Sequence, residues 1–144
     1  MAMVLMNGVV YAFTLMGETW TDDKKFTASD GESGDKFGSS VTISVDKLLV
    51  GASYKDGYMG AAYVFVLAGD GSWDKGTKLV PRNGIASGYW FGRSLALYGD
   101  RSFIGAVGSD EKGKRSSGAA YIFHRVNGGM AGGIQAHTHQ WRNC

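Results

Sequence analysis

Phe37-Gly38-Ser39-Ser40-Val41 stands 54 positions ahead of Phe91-Gly92-Arg93-Ser94-Leu95, and the two stretches are copies of one element. The segments downstream of each repeat as well. Leu49-Val50-Gly51-Ala52 returns as Phe103-Ile104-Gly105-Ala106, and the step from the Phe to the second Gly is 14 residues both times. Gly60-Ala61-Ala62-Tyr63-Val64-Phe65 returns as Gly118-Ala119-Ala120-Tyr121-Ile122-Phe123, with a third copy at Gly8-Val9-Val10-Tyr11-Ala12-Phe13. Trp20, with Lys25 and Gly31 five and eleven later, returns as Trp73, Lys78 and Gly84. Self-similarity at a fixed period marks a repeat architecture.

Each unit therefore has four strand-like pieces. Val41 and Ile43 alternate with Thr42 and Ser44, the period of a half-buried strand. Tyr63 and Phe65 share one face; Ala62, Val64 and Val66 share the other. No segment sustains a 3.6-residue period, so the chain is predicted to contain essentially no helix. Val45-Asp46-Lys47 and Tyr98-Gly99-Asp100 are short enough to be hairpin turns. A four-stranded antiparallel unit recurring roughly every 54 residues predicts the blades of a β-propeller, all-β, with neighbouring sheets sharing a core.

Composition agrees. The 144 residues are 44% hydrophobic, ordinary for a globular chain, but include 23 glycines, about twice the usual share, as short strands and tight turns require. The formal net charge is +2 with the signs interspersed, which leaves no footprint for nucleic acid. No apolar run approaches the length of a membrane-spanning helix. Met1 to Met6 is apolar but lacks the basic start and cleavage pattern of a leader. The single Cys144 excludes an intrachain disulfide.

The Phe-Gly head, the Leu-Val-Gly-Ala or Phe-Ile-Gly-Ala centre and the Gly-Ala-Ala-Tyr-x-Phe close resemble the FG-GAP repeat from about Gly8 to Arg125. That resemblance, to the repeats of integrin α-type propellers, implies a non-catalytic binding or adhesion module in a secreted or cell-surface protein. Its ligand would be protein or glycan. A propeller appended to a larger enzyme such as a hydrolase, or a truncated gene product without independent function, are the alternatives. By this frame residues 1–29 are the outer strands of a partial blade and 30–83 a complete blade. Residues 84–126 are a second blade lacking its outer strand, and 127–144 an irregular tail. Open blade faces of that kind invite self-association.

Most distinctive residues are explained by packing: Phe37, Gly38, Gly51, Ala52, Tyr63, Phe65, Trp73, Phe91, Gly92, Gly105, Ala106, Tyr121 and Phe123. Gly51 and Gly105 are expected to supply a positive φ or a close backbone approach. Propellers bind through rim loops, which points to Tyr54, Asp56 and Tyr58 in one loop and Asp110 and Glu111 in the next. No catalytic residue, cofactor or metal is expected. The loop Ser53 to Met59 has one carboxylate and a lysine, too few hard oxygen ligands for Ca²⁺. Gly108-x4-Gly113-Lys114 mimics a phosphate loop but continues with Arg115 where Ser or Thr should hold Mg²⁺.

The tail carries a second message. Reading codons one base later from Met130 turns Met-Ala into Trp, Gln135-Ala136 into Lys or Arg, and Trp141-Arg142 into Gly. Those are the offsets of Trp20, Lys25 and Gly31. The tail is thus read as a blade strand in a shifted frame, with a genuine divergent tail as the alternative.

Overall fold

A computed structural model describes residues 2–6, 8–81, 84–108, 118–125 and 134–138. They form three antiparallel sheets in chain order. The first joins β1 (Ala2–Met6), β2 (Val9–Met16) and β3 (Thr19–Phe26). The second joins β4 (Phe37–Ile43), β5 (Lys47–Ala52), β6 (Ala61–Val66) and β7 (Thr77–Leu79). The third joins β8 (Phe91–Tyr98), β9 (Arg101–Ala106), β10 (Ala119–Arg125) and β11 (Ile134–Thr138). Every strand pairs with its chain neighbour, the up-and-down order of a propeller blade.

The Phe-Gly head is a bulge. Phe37 pairs with Ala52, but Ser40 pairs with Gly51, so Gly38 and Ser39 are extra on their strand. The third sheet repeats this, with Phe91 on Ala106 and Ser94 on Gly105. The bulge bends the chain through positive φ at Gly38 (+89°) and Gly92 (+86°), where a side chain would be strained. The residue before each Phe is also left-handed, Lys36 at +58° and Trp90 at +49°.

Gly51 serves close approach rather than positive φ. A Cβ there would strike the carbonyl of Gly92, where the head of the third sheet crosses the second. The Ser40 hydroxyl donates to that same carbonyl at 2.5 Å. Because the obstacle is backbone, Gly51→Val should cost about 3 kcal/mol in urea unfolding. Gly69→Ala, in open space, should change little. Equal effects would mean that the two sheets do not meet there.

The core is two layers of side chains, one on each face of the second sheet. Val10, Ala12 and Phe26 of the first sheet meet Phe37, Tyr63, Phe65 and Trp73 of the second. The Phe26 ring lies edge-on to Phe65 at 5.0 Å and to Trp73 at 5.2 Å. On the other face Leu49, Ala62, Val64 and Leu79 meet Phe91, Ile104, Tyr121 and Phe123 of the third sheet. This is why β5 is buried at every position while β9 alternates: a sheet covered on both faces needs apolar residues on both.

Two expectations change. The first sheet has β1 besides the two strands read from sequence. The third sheet has a fourth strand where an irregular tail was expected: Ile134, Ala136 and Thr138 alternate with Gln135 and His137 and pair along β10. The physical reason is that the free edge of β10 offers unpaired backbone groups to an extended segment of suitable pattern. Its register differs from that of the second sheet, for Tyr121 faces Thr138, whereas Tyr63 faces Lys78, whose counterpart by offset is Gln135. Helix among the described residues is a single turn at Lys55–Tyr58 (α1), irregular because Asp56 and Gly57 are left-handed within it. Met130 and Trp141 lie outside the described residues.

Candidate functional site: the rim loop after Gly-Ala

The loop Ser53–Met59 leaves the second sheet at the end of β5. Its centre is a buried cation. The Lys55 side chain is 3% exposed, and its ammonium donates to the Asp30 carbonyl at 2.7 Å and to Asp35 Oδ2 at 2.9 Å. Asp30 Oδ2 and Asp56 Oδ1 each lie 3.7 Å away. Lys78 donates to Asp30 at 2.7 Å and to Asp56 at 3.4 Å, and the Tyr63 hydroxyl donates to Asp30 Oδ1 at 2.6 Å. Three carboxylates thus converge on an ammonium that the chain itself supplies. Among the described residues no group of His, Cys, Asp and Glu is arranged to hold a metal ion.

The charges tune one another. Burial of Lys55 favours its neutral form, but the hydrogen bond to Asp35 and the charges of Asp30, Asp35 and Asp56 outweigh it and raise its pKa. Burial pushes the Asp30 carboxyl up; hydrogen bonds from Lys78 and Tyr63 and the charges of Lys78 and Lys55 bring it down to about 2. Burial and then the Asp30 hydrogen bond raise Tyr63 above the usual phenol range. A carboxylate with a lowered folded pKa stabilises above its ordinary value, about 4, and that stability is lost as pH falls through the folded value. Tyr63→Phe removes one donor, so acid unfolding followed by circular dichroism should begin at higher pH. An unchanged acid limb would mean that the hydroxyl does not hold Asp30.

An outer layer sits on this core. Tyr54 and Tyr58 meet edge-on at 5.0 Å, and the Lys36 ammonium stands 5.2 Å from the centre of the Tyr54 ring. Asp56, Gly57 and Tyr58 are consecutively left-handed, at +52°, +68° and +66°. For a residue as bulky as Tyr58 that conformation is strained and persists only where the surroundings enforce it. Here they do: the Tyr58 carbonyl accepts from Gly88 at 3.1 Å and Trp90 at 2.9 Å, and the Ser87 hydroxyl donates to the Gly57 carbonyl at 2.5 Å. The loop is clamped to the segment entering the third sheet. Tyr58 is left 50% exposed and Trp90 37% exposed.

Of the residues proposed from sequence, Tyr54 and Tyr58 come together and Asp56 joins the ion network beneath them. Asp110 and Glu111 lie outside the described residues. Sequence reading missed Asp30, Asp35, Lys36, Lys55 as a buried cation, and Trp90. The recurring Lys five residues after Trp was the available signal for Lys78. A cleft of about 800 Å³ lies nearby, between Gly8 and residues 27–28 and 31–39. Its carboxylate Asp35 is already engaged by Lys55 and by the Glu32 amide at 2.7 Å.

Antiparallel blades with face-to-face cores, a bulged Phe-Gly head and clamped rim loops define a β-propeller repeat protein, here a fragment of the ring. A family model described as the FG-GAP repeat matches residues 20–65 and 73–123, and the chain belongs to that family. Each match starts on a Trp strand and ends on a Tyr-x-Phe strand. The sequence unit therefore crosses two sheets, its Trp strand completing the preceding blade. A comparison with curated proteins returned no match.

Proposed function

We propose that the chain is a non-catalytic binding or adhesion module of a secreted or cell-surface propeller. Its contact surface is the rim formed by Tyr54, Asp56 and Tyr58 with Trp90. The supporting observation is the strained, clamped loop that holds Tyr58 half in solvent. Rigid exposed aromatics beside charge suit protein or glycan ligands, because little side-chain entropy is lost on contact. Asp110 and Glu111 belong to the next loop in the same reading. The test is surface plasmon resonance of the purified chain over immobilised extracellular-matrix proteins and glycans. Tyr58→Ala and Trp90→Ala should each weaken a detected interaction by about tenfold or more, with melting unchanged. Binding that is indifferent to both variants, or absent from the whole panel, would contradict the proposal.

The tail belongs to the same reading as a repeat fragment. It is read as a blade strand translated in a shifted frame from Met130. The coding DNA tests this: codons that do not give Trp, Lys or Arg, and Gly at the three offsets would exclude it.

A further inference from the structure

The stack ends in two faces that are the separate halves of junctions it has already made. On the first sheet, Tyr11, Phe13, Leu15 and Trp20 occupy the places that Tyr63, Phe65, Leu67 and Trp73 hold in the second. In the second sheet these side chains pack on the first, with Tyr63 1%, Phe65 3% and Trp73 8% exposed. In the first sheet they face outward, and Leu15 is 47% and Trp20 51% exposed.

The other end carries the complement. Phe103, Gly105, Ala120 and Ile122 of the third sheet occupy the places of Leu49, Gly51, Ala62 and Val64. In the second sheet Leu49 and Ala62 are wholly buried under the third. In the third, Ala120 is exposed, and the nearest atoms to a Cβ on Gly105 among the described residues belong to Ser94 of its own sheet, where one on Gly51 meets Gly92 of the next. At both internal junctions the face bearing the Tyr-x-Phe rings of one sheet packs on the opposite face of its neighbour, which offers Val10, Ala12 and Phe26 at the first junction and Leu49, Ala62, Val64 and Leu79 at the second. Large side chains facing small ones interdigitate, whereas two like faces do not.

We propose that these faces form one interface between two copies of the chain, docked head to tail, the first sheet of one copy on the third sheet of the other. The contact continues the sheet-on-sheet order already present within each copy. Because the two patches differ, it is heterologous, so it closes into a ring or runs on as a chain of copies.

The test is light scattering coupled to size exclusion, on the 144-residue chain over a range of concentrations up to roughly 100 µM, where weak interfaces assemble. The wild type should form species larger than one copy. Leu15→Glu, blocking one face, and Ala120→Glu, blocking the other, should each weaken self-association on the order of a hundredfold, since a carboxylate would be buried unpaired. An equimolar mixture of the two should form a one-to-one complex and nothing larger. A monomeric wild type would overturn the proposal. So would a mixture without the complex, or one variant that still self-associates, which would mean that like faces pair. Circular dichroism melts establish that the variants fold; if either does not, the exposed Trp20→Glu and Ser94→Glu probe the same two faces with the same outcomes expected.

Discussion

Lys55→Met should lower the stability of the chain by about 3–5 kcal/mol at neutral pH, the cost of removing one partner from a buried ion pair. Methionine keeps most of the length and bulk of the side chain and removes the ammonium, its charge and its hydrogen bonds. The carboxylates left behind are in an unfavourable position. Asp35, whose side chain is 10% exposed, keeps the Glu32 amide but loses its cation. Asp30 and Asp56 lose the shared ammonium between them; Asp30 keeps Lys78 and the Tyr63 hydroxyl, and Asp56 keeps Lys78. The loop also loses the anchor between Lys55 and the Asp30 carbonyl, which ties the rim of the second sheet to the segment arriving from the first. The deficit should shrink as pH falls and the carboxyls take up protons, because the repulsion between them disappears with their charge. Adding Asp35→Asn to Lys55→Met should recover part of the loss. Urea unfolding of the single and double variants gives the coupling directly. A loss below about 1 kcal/mol, the size of an exposed pair, would mean that solvent screens Lys55.

Phe91→Ala should be comparably severe, about 3–5 kcal/mol. Its ring is fully buried between the second and third sheets, edge-on to Tyr121 at 5.3 Å and to Phe123 at 6.0 Å. The site cannot collapse to fill the void. The Phe91 amide donates to the Met59 carbonyl at 2.9 Å, and Phe91 forms a parallel bridge with Gly60. A Cβ on Gly60 would strike the Phe91 carbonyl, so the backbones already touch. The loss should be local before it is global: hydrogen exchange should accelerate in β8–β10 ahead of β5 and β6, which keep the first sheet on their other face. Uniform acceleration across all three sheets would contradict a junction that one residue dominates.

The parts of this molecule visible in its sequence are those built from local pattern. Tyr63-Val64-Phe65 and its copies carry both the strand period and the two faces, and the recurring Phe-Gly marks the head of each unit, though not the bulge it forms there. Recurrence alone could not tell why the glycines matter: Gly38 and Gly92 have positive φ, whereas Gly51 yields space to a neighbouring backbone. The left-handed turns at Lys36 and Trp90 carry no compositional mark, since neither residue type favours that conformation. The ion network was illegible for another reason. Lys55 reaches Asp35 and Asp30 across 20 and 25 residues, and Tyr63 reaches Asp30 across 33. A lone lysine in a loop looks solvated until the fold brings those carboxylates over it. The pattern of Ile134–Thr138 was legible in principle but lay among glycines and histidines that obscured it.

The central claim is that successive blades stack face to face through the aromatic layer between the first and second sheets. Nuclear Overhauser contacts between the Phe26 ring and the rings of Phe65 and Trp73 test it most directly. Strong cross-peaks are expected for both pairs, at centroid separations of 5.0 and 5.2 Å. A folded chain that gave the cross-strand contacts within each sheet but neither of these would contradict it.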